Sequence, residues 1–327
     1  MYKAIIIGCG SIGALKPLDF DSPDSKKVLT HANAIYRNEK IDLIGVVDSD
    51  QKKATLAAYR WNTKAYGLIT DITERFDIAV VASPTETHFQ ILETLCFLPH
   101  PPKMVVVEKP FCTDAEECQK IIEAGEALGI TFLVNYTRAF NFHHQEVKRF
   151  IQQSNHIEYV RLLYNRGTLR EGSHFLQMIW DWFGHPVFVS TMPTTRLLHD
   201  YSDEDATFPV LMCFEKCSQV IMTPVDGKMC SIFEIDILSD LGRIQLVNNG
   251  VIKLTWDIAE KNDYGAYPSF DYTHKMEQIQ TNFETSLESL YNNLLDYWEF
   301  EADLHCTERD ALAVHRIYEQ IIGEIKT

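Results

Sequence analysis

Ala4-Ile5-Ile6-Ile7 runs straight into Gly8-Cys9-Gly10-Ser11-Ile12-Gly13, a short apolar, β-branched stretch followed by G-x-G-x-x-G. In a loop of this kind the first glycine permits a tight turn, the second lets a diphosphate approach the backbone, and the third lets the next helix pack on the strand. Gly8, Gly10 and Gly13, with Ser11 and Ile12 between them, are therefore candidates to cradle a dinucleotide. A chance glycine-rich turn is the alternative. The position of the loop after an N-terminal strand favours binding.

The chain continues as that reading requires. Leu43–Val47, Ile78–Ala82, Met104–Val107 and Thr131–Val134 are short β-branched-rich runs, as strands buried on both faces should be. Between them Leu29–Asn38, Gln51–Trp61, Thr87–Leu95 and Ala115–Leu128 have helical patterning, with Asp114 or Thr113 placed to cap the last and Gly129 to end it. Strand and helix in alternation predict a doubly wound parallel sheet, a Rossmann-type α/β domain over 1–138. Beyond it, helices are expected at His143–Gln153 and Ser173–Phe183 and strands at Ile157–Tyr164, Phe208–Phe214, Ser218–Thr223, Ser231–Leu238, Gly242–Val247 and Val251–Thr255. Strands this close together leave no room for crossover helices, so 139–327 is expected to be an α+β domain with a large, mostly antiparallel open sheet. Asp19–Lys27 and Lys261–Phe270 have the composition of polar loops. Helices at Glu284–Phe300 and Glu308–Ile325 complete the pattern.

The second strand ends in Asp48, where a carboxylate would meet the hydroxyls of an adenosine ribose and repel a 2′-phosphate, so NAD is favoured over NADP. A turn-forming role for Asp48 is the competing reading. One spacing is anomalous: Asp48 follows Gly13 by 48 − 13 = 35 residues, against about 20 in such folds. Pro17 also interrupts the expected helix. An insertion over roughly Leu15–Lys27, with the helix starting near Leu29, would explain both.

Composition narrows the function further. Thirty Lys+Arg against 46 Asp+Glu give a net charge of −16, and 46% of the 327 residues are hydrophobic. That is globular composition on a surface that repels nucleic acid and anionic lipid. The beginning of the sequence lacks the basic flank and apolar stretch of a signal peptide, and no segment is apolar enough to span a bilayer, so a cytoplasmic protein is expected. The eight cysteines, at 9, 96, 112, 118, 213, 217, 230 and 306, show no Cys-x-x-Cys pair and are read as free buried thiols. Cys213 and Cys217 lack a matching His pair, and no metal is expected.

Three more stretches add chemistry: Ser83-Pro84-Thr85-Glu86-Thr87-His88 and Glu108-Lys109-Pro110, each after a strand, and Gly172-Ser173-His174, opening a helix that ends Trp182-Phe183-Gly184. With Asn135-Tyr136-x-Arg138 and a closing Ala311–Ile321 helix, their order resembles the Gfo/Idh/MocA oxidoreductases, the glucose-fructose oxidoreductase and inositol dehydrogenase family, over nearly the whole chain. The resemblance implies an NAD(P)-dependent dehydrogenase or reductase acting on a sugar, sugar acid or nucleotide-sugar. It implies a cofactor site of Gly8, Gly10, Ser11, Ile12, Gly13, Asp48, Ser83, Pro84, Thr85, His88, Glu108, Lys109 and Asn135. It also implies a substrate site of Lys109, Tyr136, Arg138, Arg170, Glu171 and His174, a last helix (about 308–325) returning to the first domain, and a homodimer or homotetramer formed through the second sheet.

Within that resemblance Lys109 and His174 are the catalytic pair. Lys109 stands at the carboxyl end of a central strand, where ligands bind in such sheets, and a buried Lys near other cations has a lowered pKa. His174, near a helix N-terminus, would stay neutral and act as general base, taking the hydroxyl proton as hydride leaves the same carbon. An isolated Lys at a strand end is usually a solvated side chain, but Glu108 and Pro110 on either side argue for a role. His88 is expected to shape the pocket, His143 and His144 to lie at the surface, and Trp180, Trp182 and Phe183 to form the buried face of their helix. The chain departs from the family at Arg170, where many members carry Asp. Glu171 could substitute from a shifted backbone, or Arg170 with Arg138 and Arg166 could bind a carboxylate or phosphate. A non-catalytic dinucleotide-binding sensor or scaffold is the second reading. An S-adenosylmethionine-dependent methyltransferase is disfavoured because it leaves Glu108-Lys109-Pro110 unexplained. Alternating apolar residues on both faces of Phe208–Phe214 suggest that one face needs a partner.

Overall fold

The computed structural model describes residues 1–259, 268–270 and 276–323. The chain forms two compact units, one of Met1–Phe140 with Glu284–Leu312, the other of Asn141–Phe283 with the chain from Ala313.

The first unit holds β1 (Tyr2–Ile7), α1 (His31–Tyr36), β2 (Ile41–Val47), α2 (Gln51–Trp61), β3 (Ala65–Tyr66), β4 (Ile78–Val81), α3 (His88–Cys96), β5 (Met104–Glu108), α4 (Ala115–Leu128) and β6 (Thr131–Asn135). Its six strands are all parallel in the order β3-β2-β1-β4-β5-β6, the doubly wound order with its switch point between β1 and β4. Ile78–Val81 and Met104–Val107 are fully buried, which is why these runs read as continuous apolar stretches. The Asp114 carboxylate accepts the Glu117 N–H and Gly129 closes α4 in the left-handed conformation, both as the sequence implied. β3 is a two-residue edge that periodicity did not reveal.

The insertion is real, and its length can be counted. Gly10–Leu15 makes one helical turn, with Ala14 and Leu15 N–H groups bonding to the Gly10 carbonyl, and the chain then leaves the helix. When α1 begins, later than expected, at His31, the His31 and Ala32 N–H groups donate to the carbonyls of Ile12 and Gly13, each at 2.9 Å. Both pairs are 19 residues apart (31 − 12 and 32 − 13) where a helix has four, so 15 residues, Lys16–Thr30, are spliced between rungs of one helix. Subtracting them from 35 leaves the usual spacing of about 20 between Gly13 and Asp48. Within the excursion, fully buried Asp21 accepts from Leu29 N–H, Thr30 Oγ1 and Asn33 Nδ2, and Thr30 caps α1 by accepting the Asn33 N–H.

The second unit holds α5 (Phe142–Gln153), β7 (Ile157–Tyr164), α6 (Gly172–Phe183), β8 (Phe188–Thr191), β9 (Val210–Phe214), β10 (Cys217–Pro224), β11 (Phe233–Ser239), β12 (Gly242–Val247), β13 (Ile252–Ala259), β14 (Ser269–Phe270) and β15 (Met276–Gln280). The strands run β14-β13-β12-β11-β7-β10-β9-β8, with β15 on β13, and all pairs are antiparallel except β7 with β10. α7 (Ser286–Phe300) belongs to the first unit, while α8 (Glu308–Gly323) has residues 308–312 in the first and the rest in the second. Of the expected loop 261–270, only 268–270 are described, with β14 at their end; the rest lies outside the described residues, as do residues 324–325 of the expected last helix.

Several sequence expectations need correction. His144 is buried, not at the surface, and bonds to the Gly250 carbonyl at 3.3 Å, while half-buried His143 pairs with Glu146 at 2.8 Å. Of the three aromatic residues assigned to the buried face of α6, only Trp182 is buried; that face is otherwise Phe175, Leu176, Met178 and Ile179. All eight cysteines are free, but Cys230 is exposed and Cys213 half-buried. In β9 Val210, Met212 and Phe214 are buried, leaving Leu211 and Cys213 half-buried on the other face.

Candidate functional site

In the first unit a cavity of about 870 Å³ opens at the carboxyl ends of β1, β2 and β4. Among the expected residues Gly8, Gly10, Asp48, Ser83 and Pro84 line it. Ser49, Lys53, Leu68, Thr70, Gln90 and Thr94 line it as well; Lys53, Leu68, Thr70, Gln90 and Thr94 belong to no motif, so sequence reading did not single them out.

The three loop glycines have separate jobs. Gly8 has φ +98°, and a Cβ there would lie 2.6 Å from the Ala82 carbonyl, while a Cβ on Gly13 would lie 2.0 Å from the Gly8 oxygen. Both are required by the protein's own backbone. A Cβ on Gly10 would meet nothing within 4 Å, so the open backbone at Gly10 is free for a ligand to approach, the cradle that a dinucleotide's diphosphate needs. Asp48 borders this loop: its Oδ2 accepts the Cys9 N–H at 2.8 Å and its Oδ1 the Asp50 N–H at 2.9 Å. These bonds hold the glycine loop against the end of β2. They also place a carboxylate on the cavity wall, so the donor set fits a ribose diol, with the Lys53 cation on the same wall. Burial first, and then the Asp48 charge, push the Cys9 thiol up to about 12.

Beside the cavity, His88 is fully buried between the Ser83 carbonyl at 2.9 Å and the Pro110 carbonyl at 3.0 Å. It ties the Ser83-Pro84-Thr85 turn to the Lys109-Pro110 turn, whose peptide is cis. Glu108 ends β5. Its Oε1 accepts from Asn135 Nδ2 at 2.6 Å and meets His31 Nε2 at 2.9 Å, while His31 Nδ1 meets the Tyr291 hydroxyl at 2.8 Å. His31 and Tyr291 are fully buried. Burial alone would raise the Glu108 pKa, but the bond and charge of His31, then Asn135 and Lys109, outweigh it and hold the carboxyl below its usual range. Neither His31 nor Tyr291 carries a recognisable signal: one lies beyond the insertion and the other on a distant helix. Lys109 is half-buried; Tyr136 and Arg138 are buried.

The second unit carries His174, Arg170 and Glu171. Residues Gly167–Glu171 form a single π-helical turn leading into α6. Asp205 holds it, accepting the Leu169 and Arg170 N–H groups at 2.9 and 2.8 Å, and Gly167, at φ +86°, has room for no Cβ because one would lie 2.0 Å from the same carboxylate. The Arg170 guanidinium lies 3.9 Å from the centre of the Tyr201 ring and bonds its hydroxyl, with Glu171 4.0 Å from Arg170 Nε. Half-buried His174 meets the edge of Phe233, ring centres 6.3 Å apart. Arg166 is exposed at a left-handed turn. Among the described residues no cluster of three or more His, Cys, Asp or Glu could hold a metal ion, and no helix is long and apolar enough to cross a membrane.

Comparison with known proteins agrees with this geometry. Residues 2–136 match the GFO_IDH_MocA family, described as an oxidoreductase family with an NAD-binding Rossmann fold. A stretch of 152 residues, 45% of the chain, is 32% identical to inositol 2-dehydrogenase 2 of Saccharopolyspora erythraea, of which it spans 39% of the length. Among solved structures, the UDP-N-acetylglucosamine 3-dehydrogenase GnnA of Acidithiobacillus ferrooxidans is similar with TM-score 0.75 and 13% identity over 99% of this chain and 97% of its own. The WlbA dehydrogenase of Bordetella pertussis, in complex with NADH and UDP-GlcNAcA, is similar with TM-score 0.72 and 15% identity over 99% of this chain and 96% of its own. At such identities these likenesses concern the fold.

Proposed function

From the match of residues 2–136 to the Gfo/Idh/MocA oxidoreductase family we propose that the chain is a member of it, an NAD-dependent dehydrogenase or reductase of a sugar, sugar acid or nucleotide-sugar. The observation that carries the proposal is the pairing, in one unit, of a cavity with an open Gly10 cradle and an Asp48 wall with Glu108-Lys109 at the end of a neighbouring parallel strand. The activities named for its relatives support the sugar-type substrate.

Gly8, Gly10, Ser11, Ile12 and Gly13 would hold the diphosphate and Asp48 the adenosine ribose, with Ser83 and Pro84 also lining the cavity, Thr85 next in their turn, and His88, Glu108 and Asn135 fixing the turns behind. Asp48 favours NAD, against Ser49 and Lys53, which would suit a 2′-phosphate. When bound, the nicotinamide supplies the hydride acceptor or donor. Lys109 would donate a hydrogen bond to the reacting oxygen and stabilise the charge that grows on it, and the resemblance gives His174 the exchange of a proton. Arg170, stacked on Tyr201 where relatives carry Asp, suits a substrate anion. Tyr136 and Arg138, buried in the turn after β6, would complete the substrate site. A homodimer or homotetramer through the open sheet, working in the cytoplasm, completes the reading; a monomer by light scattering at micromolar concentration would overturn the oligomer.

A second reading, a dinucleotide-binding protein without turnover, is favoured by the Arg170–Glu171–Tyr201 cluster, where the family's acidic partner for the histidine is replaced by a cation. Calorimetric titration with NADH and NADPH, followed by a turnover screen of sugar acids and nucleotide-sugars, separates the readings. Tight NADH binding weakened in Asp48→Asn, which can still accept the Cys9 N–H, supports the site; turnover supports the enzyme. If neither nucleotide binds, the proposal fails.

A further inference from the structure

His31 and Tyr291 are buried polar groups that the chemistry above does not use, and they stand in line behind Glu108, the carboxylate next to Lys109 in the chain. Desolvating such groups is costly unless they are bonded, and here the line Tyr291, His31, Glu108, Asn135 is bonded at 2.8, 2.9 and 2.6 Å. On the reading that Lys109 meets the substrate, we propose that His31 is a positioning residue: backed by Tyr291, it fixes Glu108 as a carboxylate and through it keeps Lys109 an ammonium, a donor to the substrate oxygen rather than an amine that removes its proton.

Each neighbouring element contributes to this arrangement. The groups facing Glu108 are His31 from α1, Asn135 from β6, Tyr291 from α7 and Lys109 from its own turn. The Tyr291 phenol is held well above its usual range, by burial first and then by the Glu108 charge, so it stays a hydroxyl, bonded to His31 Nδ1 at 2.8 Å. The imidazole then presents Nε2–H to Glu108. Without that donor Glu108 would face burial with Asn135 and Lys109 alone, and its charge would be the first thing lost. The arrangement assigns proton exchange to a group other than Lys109. It also gives a role to the first residue of α1, the one at which the chain rejoins its helix after the splice.

The test reads the protonation of Lys109 directly in the full chain. Competitive labelling of amines with acetic anhydride across pH 7 to 11, quantified by mass spectrometry of the Lys109 peptide, gives its midpoint. Glu108→Gln is expected to lower the midpoint by about one pH unit or more. His31→Leu is expected to move it in the same direction, and His31→Gln, which keeps an N–H donor, to restore most of the shift. An unchanged midpoint in Glu108→Gln or His31→Leu overturns the proposal. If His31→Leu does not fold by circular dichroism, Tyr291→Phe takes its place: without the hydroxyl bonded at Nδ1 the ring is held less firmly against Glu108, a smaller fall is expected, and none overturns the proposal. NADH titration of the wild-type sample keeps the two levels apart. Absent binding removes the functional reading itself, whereas binding with unmoved midpoints removes only the role of His31.

Discussion

Adding one methyl group at Gly10 or at Gly13 should separate ligand binding from stability within a single loop. A Cβ on Gly13 would lie 2.0 Å from the Gly8 oxygen, more than 1 Å inside van der Waals contact, and the atom it strikes is backbone that cannot rotate away. Gly8 in turn lies against Ala82 and Ser83, where its own Cβ would be 2.6 Å from three backbone atoms, so the strain has no slack to move into. Overpacking of this kind costs about 1–3 kcal/mol; with a backbone-only clash the upper end is expected, about 3 kcal/mol. At roughly 2–4 °C per kcal/mol for a unit of this size, Gly13→Ala should melt about 6–12 °C lower. Gly10→Ala meets nothing within 4 Å and needs no left-handed backbone, so its melting temperature should stay within about 2 °C of wild type. Its NADH affinity should nevertheless fall at least about tenfold, or 1.4 kcal/mol, because the methyl occupies the face that a diphosphate would touch. Scanning calorimetry and isothermal titration on both variants suffice. Wild-type NADH affinity in Gly10→Ala would refute the cradle, and wild-type melting in Gly13→Ala would refute the packing argument.

Three further outcomes follow from other features. Glu108 is held below its usual range in the folded state, so it contributes stability that is present above its unfolded pKa of about 4.3 and is lost as pH falls through the lower folded value; Glu108→Gln should flatten that part of the acid limb of a stability-against-pH curve. With iodoacetamide at pH 8, exposed Cys230 should be alkylated first while buried Cys9, its thiol pushed up to about 12, stays unmodified in the native protein, as peptide mass spectrometry would show. Deleting Lys16–Thr30 should leave a folded protein that still binds NADH: losing the loop returns about 2 kcal/mol of closure entropy, against about 1–3 kcal/mol for stranding the buried Asn33 amide. A deletion variant that does not fold would show that His31 and Ala32 cannot continue the helix from Ile12 and Gly13.

The parts legible in the sequence were those governed by local chemistry. Buried parallel strands announce themselves because both faces are apolar, and the loop glycines because only glycine tolerates their positions. The insertion was legible as an excess of residues, but its limits were not, since pairing His31 with Ile12 is a contact across 19 positions that no periodicity encodes. The Glu108 surroundings were half legible: the turn carried a motif, while the donors that hold the carboxylate came from α1 and α7. His144 was misread for the opposite reason. A polar helix start suggested solvent, but the tertiary fold buries it against the Gly250 carbonyl. The Arg170 stretch was visible as a departure, yet its stacking on Tyr201 depends on a loop 31 residues away.

The splice at Lys16–Thr30 leaves and rejoins its helix at neighbouring rungs, so to the rest of the sheet the detour is topologically invisible. Chain length at this point is decoupled from register: closing a longer detour costs only about 0.6 kcal/mol per doubling, and no strand or motif downstream shifts by a residue. The site beside the glycine loop is thus a port, where segments of different length or character could be carried without re-engineering the sheet. The distance from the loop to Asp48, counted along the chain, measures what has been plugged into that port rather than anything about the cavity.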